Sequence, residues 1–195
     1  MKIKAIIFFG LLFFLFGCKK EKMRFVQKTY PEDSLISEGY MIDTLPIKYW
    51  KSFDLQRRLV AISEFKIINN EAYLNQEIVF DKQGDTLFDK SNFFTCKSSI
   101  INKDSVLLKI EYDGIYEESY GLFIYNYNIN DDFSNVDKLK LDTILFDGNK
   151  LEIRLLKNKE IKGIIKELKF LSDTYKTRNV YFDYGKDSQD ISEIR

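Results

Sequence analysis

The chain has no histidine among its 195 residues. That absence excludes a Ser-His-Asp triad, a Cys-His dyad, a His-ligated zinc site and HExxH chemistry. Proline occurs twice, as Pro31 and Pro46, and tryptophan once, as Trp50. No glycine-rich phosphate loop, dinucleotide fingerprint or CxxC motif is present. Neither sign of charge prevails, with 30 Lys and Arg against 30 Asp and Glu. A chain balanced in this way carries no electrostatic footprint for nucleic acid. Beyond residue 17 no apolar run is long enough to span a bilayer as a helix.

What is present begins at the N-terminus. Lys2 and Lys4 precede an uncharged apolar run from Ala5 to Phe16. Its length, about a dozen residues, suits the h-region of a signal peptide and is too short for a membrane span. The run ends in Leu15-Phe16-Gly17-Cys18, followed by Lys19-Lys20-Glu21-Lys22. This layout resembles the lipobox of bacterial lipoproteins. The resemblance implies that residues 1–17 are removed and that Cys18 is acylated as the first mature residue. Cys96 then has no second cysteine for an intrachain disulfide, and reads as a small buried hydrophobe. The mature chain keeps 28 cations and 30 acids. The lipobox further implies an outer-membrane lipoprotein. The basic residues after Cys18, in place of an acidic run, favour the periplasmic face.

Residues 18–38 are polar and lack an apolar period, so they read as a tether. The pattern places a β-rich domain at 39–186, either one unit or two packed β-units at 39–97 and 98–186. A polar tail follows at 187–195. Within the domain, short β-type runs alternate with turn signals. They cover Leu59 to Ile68, Ala72 to Phe80, Thr86 to Cys96, Val106 to Tyr112, Tyr120 to Ile129, Leu139 to Phe146, Leu151 to Leu156 and Val180 to Tyr184. Asn69-Asn70 suits the positive φ angles of a tight hairpin turn, and Gly84 suits one such position in the turn 81–85. The expected fold is all-β, an antiparallel sandwich or meander. One stretch is ambiguous. Ile161, Ile164, Ile165, Leu168 and Leu171 fall at helical spacing, while Gly163 disfavours a helix. The surrounding strands favour a strand over 158–171.

An internal echo joins two turns. Phe53-Asp54 leads to Arg58-Leu59-Val60, and Phe80-Asp81 leads through Gly84-Asp85 to Thr86-Leu87-Phe88. The pattern over residues 40–95 resembles MORN-type β-hairpin repeats. The whole layout, lipobox then β-rich body, resembles small lipoproteins of Bacteroidota, a resemblance that carries no activity with it.

Candidate chemistry is sparse. Glu117-Glu118 and Asp131-Asp132 are adjacent acids, and adjacent strand residues point to opposite faces. Neither pair alone supplies two carboxylates across a cleft, as glycoside hydrolysis needs. Asn126, Asn128, Asn130, Asp132 and Asp137 have a faint calcium-loop spacing but lack the central glycine and terminal glutamate. The same alternation fits a strand bearing Tyr125, Tyr127 and Ile129 on its other face. No catalytic residue, metal ligand or cofactor is assigned.

The expected function is therefore a lipid-anchored binding module. It contacts the membrane through Cys18, and an envelope protein or a glycan through the domain. Tyr40, Tyr125 and Tyr127 are candidate aromatic contacts. The leading candidate surface is Tyr49, Trp50 and Phe53, set among Lys48, Lys51, Arg57 and Arg58. The competing expectation is that Trp50 closes the core. The alternative function is a carboxylate-dependent envelope hydrolase using acids such as Glu117 or Asp131.

Overall fold

The computed structural model describes residues 22–113, 120–147, 150–156, 159–170 and 175–185. Cys18, Glu117, Glu118 and the tail 187–195 lie outside the described residues. Within them the chain is all-β and antiparallel, with one 3₁₀ turn at Val136–Lys138.

Five strands form an N-terminal meander in the order of the sequence: β1 (Arg24–Tyr30), β2 (Leu35–Ile42), β3 (Leu45–Asp54), β4 (Leu59–Ile68) and β5 (Glu71–Val79). β1 and the first half of β2 lie inside the stretch read as a tether, so the polar segment before the fold is far shorter than 18–38. The reason is exposure. β1 is an edge strand, solvated on almost its whole length, so its sequence needs no apolar period. Asn69 and Asn70 make the β4–β5 turn with φ of 51° and 67°, as their tolerance of positive φ suggests.

Seven further strands form two sheets. One has the order β10 (Lys150–Leu156), β7 (Ser105–Asp113), β6 (Phe93–Ile100). The other has the order β12 (Tyr175–Tyr184), β11 (Ile161–Phe170), β8 (Tyr120–Asn126), β9 (Asp142–Asp147). Their inner faces share one core of Phe94, Leu108, Ile110, Tyr112, Phe123, Phe146, Leu151, Ile153, Leu155, Ile161, Ile165, Val180 and Phe182. This is a β-sandwich. β6 belongs to it, so the division of the chain falls before Phe93 and not at residue 97. Thr86 to Asn92 is a connection rather than a strand, held by isolated bridges at Phe80–Thr86 and Glu77–Asn92.

The ambiguous stretch is a strand. β11 lies between β12 and β8, covered on both faces. Ile161 and Ile165 face the sandwich core. Ile164 packs outward against Ile129 and Phe133 of the loop 127–141. Apolar cover on both sides produces the helix-like spacing. Gly163 has a packing role, because a Cβ there would lie 2.6 Å from the Ile124 carbonyl oxygen.

The two Asp turns have the same hydrogen bonding. Asp54 Oδ1 accepts from the N–H groups of Gln56 and Arg58, and Asp81 Oδ1 accepts from those of Gln83 and Asp85. In each, the Asp N–H donates to the carbonyl four residues on, and the fourth residue has positive φ. That position is Gly84 in the second turn and Arg57, with φ of 64°, in the first.

Candidate functional site

The meander and the sandwich meet along a buried polar seam. At the β4–β5 pairing the register passes from Glu64↔Gln76 to Phe65↔Leu74, so Asn75 is an extra residue. Such a bulge turns a side chain out of the ordinary alternation. Asn75, fully buried, reaches β12, where its Oδ1 accepts from the Tyr181 N–H (2.7 Å) and its Nδ2 donates to the Tyr181 carbonyl (2.9 Å). The amide thereby pairs with β12 as a strand would. Tyr73 adds a hydroxyl donation to the Asn179 carbonyl at 2.7 Å.

Glu64 is the acceptor at the centre of the seam. Its Oε2 receives Asn75 Nδ2 at 2.6 Å and Gln76 Nε2 at 2.7 Å, and Lys66 lies 3.3 Å from Oε1. Gln76 Oε1 in turn accepts from the Phe94 N–H at 2.8 Å, joining β5 to β6. A second buried carboxylate, Glu167, accepts from the Tyr112 hydroxyl at 2.8 Å, and Asn92 Oδ1 lies 3.0 Å from the same hydroxyl. Burial, and then the negative charge of Glu167, push the Tyr112 phenol well above its ordinary value. Tyr112 therefore stays a donor. Asn92 Nδ2 and Asn179 Oδ1 are buried without a hydrogen-bond partner among the described residues.

These two acids were not singled out from the sequence. Glu64 and Glu167 sit within apolar strands, and a charge in such a strand was the available signal. Both are held by donors that tie elements together, which is the work of a structural joint.

The chain matches no protein-family model, no curated protein and no solved structure.

The sequence-derived residues are placed as follows. Trp50 is 5% exposed, with its Nε1 donating to the Tyr40 carbonyl at 3.1 Å. Its ring covers Gly39, stands edge-on to Phe65 and carries Lys28 Nζ 5.7 Å from its centroid. Tyr49 points the opposite way, toward the cluster of Ile62, Ile78, Phe80 and Phe93. Phe53 lies under the Arg57 guanidinium, 5.8 Å away. The three do not form one surface, because neighbouring strand residues alternate between faces.

The loop bearing Asn128, Asn130 and Asp132 is not a strand; β8 ends at Asn126. Its oxygens are turned into the loop. Asn126 Oδ1 accepts from the Asn128 N–H, Asn135 Oδ1 from the Asn130 N–H, and Asp132 Oδ1 from the Ser134 N–H and hydroxyl. Asp131 pairs instead with Lys162 of β11. Cys96 is half-buried at the sandwich core.

Two exposed apolar regions go beyond the sequence-derived residues, of which only Tyr40 belongs to either. One is at the start of β1, where Phe25 stands edge-on to Tyr40 across the strand pair, with centroids 5.4 Å apart. The other is at the open end of β6 and β10. There Ile100 is 69% and Leu156 50% exposed, beside Ile101. The signal for the first was the aromatic and β-branched content of Arg24 to Tyr30. No helix among the described residues is long and apolar enough to cross a membrane.

Proposed function

We propose that this chain is a lipid-anchored envelope protein that acts by binding another envelope protein. The observation that carries this reading is the exposed aliphatic end formed by Ile100, Ile101 and Leu156. Ile100 pairs with Val106, and Val106 with Leu155, so Ile100 and Leu156 stand at the same end of a three-stranded sheet, two strands apart and on alternate faces of it. β6 starts at the seam and runs about 23 Å to this end, which puts it well away from the meander. A sugar surface is built from aromatic rings for stacking. This end offers branched aliphatic side chains, which suit the apolar core of a protein interface. The engagement of both buried acids in structural bonds also favours binding over carboxylate chemistry.

Affinity purification of the acylated protein from its own membranes tests the reading. The double variant Ile100→Lys/Leu156→Lys is expected to lose a reproducible protein partner while its melting temperature stays unchanged. Retention of the same partner by that variant would refute the site.

A further inference from the structure

Residues 19–23 alone separate Cys18 from β1. Fully extended, the path from Cys18 to Arg24 is about 20 Å. An acyl group on Cys18 would hold the start of β1 within that distance of the leaflet. The corner so held has a distinctive surface. Phe25 is 58% and Tyr40 39% exposed, with Met23 exposed beside them. Arg24 pairs with Met41 and Phe25 with Tyr40. The bulge between Gly39 and Tyr40 makes Lys48 and Tyr49 two extra residues of β3 in its register with β2. Lys48, at φ of 56°, places its Nζ 5.8 Å from the Tyr40 centroid.

The charge of this corner is one-sided. Among the described residues, 22–25 and 40–48 contain Lys22, Arg24 and Lys48 against Asp43. The mature chain as a whole has a small excess of acids. Arg24 donates to the Asp43 carbonyl and so stays at the corner. Further along the same face Glu38 lies 4.0 Å from Arg57.

We propose that this corner is a second membrane contact, seated on an anionic phospholipid leaflet. Phe25, Tyr40 and Met23 enter the headgroup layer, where amphipathic rings and flexible apolar chains settle. Lys22 and Lys48 bind lipid phosphates. The domain then lies against the leaflet instead of swinging on a leash. This inference rests on acylation of Cys18 for its biological setting, but the surface itself can be tested without the acyl group.

The mature chain carrying Cys18→Ser is mixed with phosphatidylglycerol or phosphatidylcholine vesicles and sedimented. Binding to phosphatidylglycerol, weakened by salt, is expected. Lys22→Glu/Lys48→Glu is expected to bind about tenfold more weakly, and Phe25→Ser/Tyr40→Ser to lose binding without a large change in melting temperature. The Cys18→Ser chain binding neither vesicle would overturn the proposal, as would both double variants binding as tightly as the Cys18→Ser chain itself. Mass spectrometry of the native protein reports acylation separately. An unmodified Cys18 would sink the anchor reading while leaving the vesicle result to stand for the corner.

Discussion

Asn75 shows what a single side chain does in this protein. Its amide satisfies both the N–H and the carbonyl of Tyr181 and also donates to Glu64. Asn75→Ala would leave those buried groups without partners, so we expect a loss of about 2–4 kcal/mol in chemical denaturation. Asn75→Asp should be worse at neutral pH. It keeps an acceptor for the Tyr181 N–H but sets a carboxylate against Glu64 and the Tyr181 carbonyl. The gap between the two variants should narrow as pH falls; a constant gap would contradict the argument. Asparagine is depleted in strands, so its presence inside Glu71–Val79 marked something unusual, but only the bulge discloses what it reaches. Trp50 gives the opposite case. Its cationic neighbours in sequence suggested an exposed rim, yet a lysine can bury its stem and lie over a ring. Lys28, 22 positions earlier and across two strands, supplies that cover.

At the level of the element, two loop carboxylates, Asp54 and Asp132, contribute to the response to acid. Arg58 holds the Asp54 carboxyl below the ordinary value of 3.8, first through its N–H and, against some burial, through its guanidinium. The Ser134 hydroxyl and N–H do the same for Asp132. A carboxyl lowered by folding contributes stability that is full above its unfolded value and lost as pH falls through its folded one. Asp183 opposes them, since burial raises its carboxyl despite Lys66 and Lys162. Comparing the wild-type chain with Asp54→Asn cancels Asp183. The stability difference should be constant above about pH 5 and shrink below 3.8. A difference that persists undiminished at lower pH would refute the turn's role. Strand positions were largely legible at this scale, because half-buried antiparallel strands alternate and their turns carry Asn, Asp or Gly. One kind of element hid and one was ambiguous. β1, solvated on both sides, reads as linker, and β11, packed on both sides, has a helix-like spacing that only the surrounding strands turn towards a strand.

For the molecule as a whole, the all-β class follows from composition and turn spacing, but the division into meander and sandwich does not. That division depends on which edge β6 joins, a long-range matter that local pattern does not encode. The meander's own apolar cluster is small, with Ile62 and Ile78 backed by Phe80 and Phe93. A chain ending at residue 92 lacks Phe93 and every β12 partner, and it should melt broadly and at much lower temperature than the full chain. Sharp, cooperative melting of that fragment would show the meander to be self-sufficient. The bond from Tyr181 to Asn75 closes across 106 positions of sequence. A pairing so remote makes the contact order high and folding slow. It also sets a sequence of events in time. A chain delivered N-terminus first has the five strands of the meander free to pair while the segment that locks them is still arriving. For that interval the polar rim of the sheet, with Asn75 and Gln76, stands open to water, and those hydrophilic groups keep the waiting edge soluble until β6 comes to claim Gln76 and β12 to claim Asn75.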